Sequence, residues 1–336
     1  MKTAIFGFAG SGKTDLFLAL AGAKNINVNR AMVKVPEPRL DPLAKLFNPK
    51  KITYTEIEYL DIPGGGGKGQ GLGARILNEI RPYDCLLAVL DGFSGLNDPK
   101  SQWEAIETDL LISDLAVVEK KLEKMAVDKK KSKHLVDPKE EQLLEKVKTV
   151  LEEEQPLRGF SELVTAPELR GYCFLSAKPI LYAWNVAEDE IGSMQVPESA
   201  DKQVHIVVSA KLEKEMAELT DPEEVAMFME DLGIKESALN RVIKSTYNLL
   251  NLITFLTAGE KEVRAWPLKR GSTAPEAAGV IHSDLQKGFI RAEVLSWSDF
   301  EKYGDFKQAK EKGALRLEGK DYIVQDGDII TFRFNV

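Results

Sequence analysis

An α/β fold, interrupted by a helical hairpin and followed by a small β-rich module, is what the 336-residue sequence predicts. Three observations carry it: glycine-rich breaks between short apolar runs over residues 1–100, a helical apolar period beginning near Asp98, and β-branched and aromatic enrichment after Val263. At roughly 100 to 200 residues per domain, the length allows two or three domains. Hydrophobic residues at 43% and charged residues at 29% exclude wholesale disorder and a fibrous repeat.

The runs TAIFGF, YTEIEYLDI and DCLLAVLDGF read as buried strands of a parallel sheet, because strands covered on both faces lose their period-two alternation. From Pro99 to about Met125, the residues Leu111, Leu115, Val118, Leu122 and Met125 step by four and three, the seam of a coiled-coil helix. Asp137-Pro138 opens a second helix with Leu143, Val147, Val150 and Leu151 on one face, so the pair should form an antiparallel hairpin. KPILYAWNV and QVHIVVSA return to strand texture, and a helical stretch is expected from Asp221 to about Leu256. The expected domains are 1–98 with 178–258, an inserted hairpin at 99–177, and a C-terminal module at 259–336.

Net charge is −8, which gives no general attraction to nucleic acid or to an anionic membrane. DNA and membrane partners are therefore not expected. The exception is local: residues 119–133 hold seven lysines against three acids, at the tip of the expected hairpin. No apolar run approaches the roughly 20 residues of a membrane span, and the N-terminus reads as a first strand, so a cytoplasmic protein is expected. Cys85 and Cys173 lie in apolar contexts and are expected to be buried free thiols.

Chemistry enters with Gly7-Phe8-Ala9-Gly10-Ser11-Gly12-Lys13-Thr14, which fits G-x-x-x-x-G-K-[ST] between a strand and a helix. Such a loop turns backbone N–H groups around phosphate oxygens at a helix N-terminus. Gly7, Gly10, Ser11, Gly12, Lys13, Thr14 and Asp15 are the expected phosphate-binding residues, with Lys13 reaching the β- and γ-phosphates and Thr14 holding Mg²⁺. Asp61-Ile62-Pro63-Gly64 ends the second apolar run as D-x-x-G. Asp61 is the second expected metal residue, and Gly64 can offer its N–H to a γ-phosphate; Lys13 and Gly64 are the expected catalytic positions. Asn185-Val186-Ala187-Glu188 and Ser209-Ala210-Lys211 follow later strands, where P-loop GTPases carry N-K-x-D and S-A-K for reading the base. Asn185, Val186, Glu188, Ser209, Ala210 and Lys211 are accordingly expected to contact nucleotide, with Glu188 and Val186 weakening the choice of guanine.

The motif order, the inserted hairpin, NVAE, and the tail RAWPLKRGSTAPEAAGVIHSDLQKGFIRAEVLSW with GKDYIVQDGDIITFRFNV resemble the YchF branch of the Obg-like P-loop NTPases over essentially the whole chain. The resemblance implies a G domain, a coiled-coil insertion and a C-terminal TGS domain of β-grasp type. It also implies use of ATP as well as GTP, and a link to the ribosome. Against the family pattern, Gly10 replaces an Asn, residues 23–40 carry no Thr, and the loop Asp91–Asp98 carries no His. Two functions follow: a slow Mg²⁺-dependent nucleoside triphosphatase acting as a conformational switch, or a nucleotide-binding module with little hydrolysis that regulates a partner. The intact Lys13, Thr14 and Asp61 argue against a vestigial loop.

Overall fold

Apolar runs bounded by glycine and proline place the early strands: β1 (Lys2–Phe6), β2 (Arg30–Lys34), β3 (Ile52–Thr53), β4 (Glu56–Asp61), β5 (Cys85–Asp91), β6 (Ile180–Asn185) and β7 (Gln203–Val208). The computed structural model describes residues 1–336 except 23–28, 66–70, 97, 201, 220, 235 and 336. All of these strands but β3 form one sheet in the order β2-β4-β1-β5-β6-β7, parallel from β4 through β7. Every residue of β5 and β6 is buried, which explains their unbroken apolar sequence. Because β1 lies between β4 and β5, the turn leaving it opens where the strand order reverses, the usual place for a ligand crevice in open α/β sheets.

The chain leaves β5 for a 33-residue helix, Pro99–Lys131, whose N-cap Asp98 accepts from the N–H groups of Lys100 and Ser101. A second helix, Pro138–Glu152, is capped by Asp137. The two run antiparallel: Lys129 pairs with Glu141 near the tip, while Lys148 lies 3.9 Å from Glu119 further back. Val118, Met125, Leu144, Val147 and Leu151 form the buried seam, with Leu111, Leu115 and Leu122 packed against it. At the root, the fully buried Asp114 accepts from the N–H groups of Leu175 and Ser176 and from Arg81, 2.7 Å away. A buried carboxylate satisfied on several sides pins the returning chain before β6 resumes the sheet.

The chain divides into two compact units, residues 1–33 with 58–249 and residues 34–57 with 250–336. The second unit contains β8 (Leu252–Ala258), β9 (Val263–Lys269), β10 (Phe289–Leu295), β11 (Arg316–Glu318) and β12 (Ile329–Phe334), in a sheet ordered β11-β10-β12-β8-β9-β3. One core packs Ile253, Phe255 and Leu268 against Ala274, Ala277 and Ala278 of the helix Ala274–Ile281. A second gathers Leu40 and Leu43 of the helix Leu40–Phe47 with Leu256 and Val263.

Three expectations change here. Residues 34–57 group with the C-terminal module, because β3 pairs with β9 and Leu40 and Leu43 complete that module's core. The helical stretch ends at Leu249, where Asn251 turns into the left-handed region (φ 55°), and LITFLTA becomes β8. Cys85 is buried, and burial pushes its thiol up to about 12, but Cys173 is exposed and left-handed (φ 48°).

Candidate functional site

The turn after β1 runs from Gly7 into the helix Lys13–Ala21. Gly12 is left-handed (φ 81°), and a Cβ there would lie 2.1 Å from Nδ2 of Asn185, so only glycine fits. Gly7 is as tightly placed, since a Cβ would fall 2.5 Å from the carbonyl oxygen of Val89. Gly10 is also left-handed (φ 80°) but faces open space. Ser11 is fully buried, and its hydroxyl has no hydrogen-bond partner among the described residues.

Lys13 is 91% buried, and its ammonium reaches Gly64, where a Cβ would sit 2.6 Å from Nζ. The Thr14 hydroxyl donates to Asp61 Oδ2 at 3.0 Å. This contact spans neighbouring strands, because Ile5 on β1 is in register with Asp61 on β4. Burial raises the Asp61 pKa, while the Thr14 hydrogen bond and the Lys13 charge pull it down. Its Oδ1 is buried without a hydrogen-bond partner among the described residues. A hard oxygen donor left unsatisfied beside a hydroxyl and an ammonium suits a magnesium ion shared with phosphates, which needs only one or two protein oxygens. Accordingly, no cluster of three metal-ligating side chains is present among the described residues.

The base end is organised differently. Asn185, at the end of β6, donates from Nδ2 to the carbonyl of Ser11 at 3.0 Å and accepts at Oδ1 from the N–H of Ala210 at 2.8 Å. Its side chain therefore ties the phosphate loop to the start of the helix Ala210–Glu218. Ser209 and Ala210 are buried, and Lys211 is exposed. Val186 is 2% exposed and packs beside Gly92. The Val186 side chain is thus part of the core. Glu188 is exposed on a short turn, Glu188–Glu190. Asp15 pairs with Lys214 at 2.9 Å.

Lys214, Gln102 and Phe93 escape a reading by motif. Gln102, on the long helix, accepts from the N–H of Asp91 at 3.1 Å and donates to its carbonyl at 3.0 Å, fixing the end of β5. Phe93 approaches Gly12 to 3.6 Å of the position a Cβ would take. A side-chain amide bonded to backbone leaves no pattern in the sequence, whereas the i, i+4 spacing of Ala210 and Lys214 was available. His134 is exposed, His282 caps Asp284, and His205 is buried beside Trp184. Residues 23–28 of the Thr-free segment 23–40 lie outside the described residues.

A glycine-rich turn after the central strand, with a lysine, a threonine and a strand-end aspartate around it, defines a P-loop nucleotide-binding protein. The YchF-GTPase_C family, described as a protein of unknown function (DUF933), matches residues 252–335. "Ribosome-binding ATPase YchF" of Bacillus subtilis is 42% identical over 100% of both chains. The protein of the same name from Escherichia coli O157:H7 is 41% identical over 100% of this chain and 99% of its own. Among solved structures, the Schizosaccharomyces pombe YchF GTPase superposes with a TM-score of 0.85 at 29% identity, covering 99% of this chain and 97% of its own. The chain belongs to the YchF family.

Proposed function

We propose that this protein is a Mg²⁺-dependent nucleotide-binding switch that takes ATP or GTP, hydrolyses it slowly, and couples the nucleotide state to ribosome association. The observation that carries this reading is the cluster of Lys13, Thr14 and Asp61, with Asp61 Oδ1 unsatisfied among the described residues. The names of the bacterial relatives, ribosome-binding ATPases, and of the yeast GTPase support the substrate class and the partner.

Backbone N–H groups of residues 10–14 would receive the phosphates at the helix N-terminus. Lys13, desolvated beside Gly64, would supply the compensating positive charge, and Thr14 and Asp61 would hold the metal, whose charge would steady the phosphate oxygens. Slow turnover fits the groups at hand: the residue directly after Asp61-Ile62-Pro63-Gly64 is Gly65 and not Gln, and the loop Asp91–Asp98 has no His. The carboxylate of Asp91 is engaged by Ser94 at 3.0 Å, so it is not an evident base.

Ribosome association would use the hairpin tip and the C-terminal module, which we assign as a TGS domain. At the tip, Lys121, Lys129 and Lys131 are paired with Glu140, Glu141 and Asp128. Lys120, Lys124 and Lys130 form no ion pair among the described residues and are the lysines left for phosphate. The module adds Lys269, Arg270, Lys287 and Arg291.

Equilibrium titration with ATP and GTP, with and without Mg²⁺, tests the ligand; turnover by the isolated protein on the order of 1 per second or faster would contradict the slow switch. Co-sedimentation with ribosomes over a salt series tests the partner, since phosphate contacts weaken steeply with salt. Equal pelleting of wild type and a variant with Lys120, Lys124 and Lys130 changed to Glu, at every salt concentration, removes the tip from the interface.

A further inference from the structure

The long helix Pro99–Lys131 has one face spent on the cores, through Ile106, Leu110 and Val118. A second face is open. Ile112 stands on it, and together with Trp103, Leu111 and Leu115, which are half-buried against the cores, and Leu151 at the end of the helix Pro138–Glu152, it walls a cavity of about 550 Å³. Ile112 is 60% exposed there. A large branched side chain left in water, at the edge of a concave apolar wall, marks a surface suited to covering by a partner.

Four carboxylates rim this cavity, and their own partners differ. Glu107 is neutralised inside the protein by Arg158 at 2.8 Å and by the Tyr182 hydroxyl at 2.6 Å. Glu152 lies 3.6 Å from Lys148, a weak exposed pair. Glu104 and Glu154 are exposed and form no ion pair among the described residues. The chain's own cations therefore leave the rim with uncompensated negative charge. A polyanion such as RNA is repelled here, in contrast to the lysine tip of the same hairpin.

We infer that this groove at the hairpin root docks a basic amphipathic segment of a partner protein. An apolar side chain of the segment fills the wall beside Ile112 and Trp103, and flanking Lys or Arg residues meet Glu104 and Glu154. Apolar anchors set the affinity of such helix-in-groove or peptide sites, while complementary rim charges set partner choice and association rate. The inference is independent of the nucleotide reading, since no residue of the groove belongs to the phosphate site.

The test uses the full-length protein and a fluorescein-labelled peptide with leucines at i, i+3 and i+7 flanked by lysines, followed by anisotropy. Its controls are the same peptide with glutamates for the lysines, and a single-stranded RNA oligonucleotide. The lysine peptide is expected to bind and the glutamate peptide not. Glu104→Lys with Glu154→Lys should weaken it at least tenfold, and Ile112→Asp should abolish it; Ile112 is exposed, so that variant is expected to fold, which circular dichroism checks. Failure of the lysine peptide to bind, or binding unchanged in the charge-reversed protein, overturns the proposal. So does RNA binding that Ile112→Asp removes, which would give the groove to nucleic acid. A concentration-dependent dimer in sedimentation that Ile112→Asp dissociates would give it to a second copy of the chain, and also overturns the proposal.

Discussion

At the phosphate end of the site, Lys13 lies against Gly64, Thr14 donates to Asp61, and buried oxygens of Ser11 and Asp61 are left without hydrogen-bond partners among the described residues. At the base end, both amide atoms of Asn185 are consumed by Ser11 and Ala210, and Val186 is folded into the core. One end keeps its polar groups for a ligand, and the other spends them on holding the loops together. The difference teaches that binding energy should come from the phosphates, with modest discrimination between bases.

Lys13→Ala breaks the phosphate end most severely. Truncating a desolvated charge opposite phosphate costs about 2 to 5 kcal/mol, so affinity for ATP and GTP should both fall by orders of magnitude in calorimetric titration. A folded Lys13→Ala protein that binds as well as wild type removes the phosphate-centred account.

His205 predicts a pH effect. His205 on β7 accepts from the Trp184 indole N–H, and burial lowers its pKa from 6.5 to about 4. The unfolded chain binds that proton at higher pH, so stability should fall as pH drops from 6.5 towards 4, by up to roughly 3 kcal/mol. Urea unfolding across this window should show the loss in wild type beyond that in His205→Gln. Parallel curves for the two proteins would mean the ring is not held neutral.

Asn185→Ala strips a partner from the Ser11 carbonyl and from the Ala210 N–H. Leaving two buried backbone groups unpaired should destabilise the protein by about 2 kcal/mol or more. Affinity should fall for both nucleotides together, because the tie supports the phosphate loop. A selective loss of GTP binding alone would instead mean that Asn185 reads the base.

Much of the phosphate end was legible because its pattern is local: the spacing of Gly7 to Thr14 needs only a strand before it and a helix after it. Asp61 was legible one step further, as the end of an apolar run. The tie from Asn185 to Ser11 was not, because the two residues are 174 apart and the tetrapeptide Asn185–Glu188 reads as a base contact. The membership of residues 34–57 was hidden for a related reason. A two-residue strand such as β3 carries no periodicity, and its partner β9 lies over 200 residues on.

Glu188→Asp is the smallest and sharpest probe of the base end. Glu188 is exposed, and shortening it should move selectivity towards GTP by no more than about tenfold, or ~1.4 kcal/mol. Competition between the two nucleotides at one Mg²⁺ concentration reads this directly.

The central claim, that the phosphates and not the base dominate binding, is tested by the dissociation constants of ATP and GTP for wild-type protein and for Lys13→Ala under one set of salt and Mg²⁺ conditions. The account predicts that wild type binds ATP at least as tightly as GTP, and that Lys13→Ala weakens both by a similar large factor. A wild-type preference for GTP of more than about tenfold, or a Lys13→Ala loss confined to one nucleotide, would contradict it.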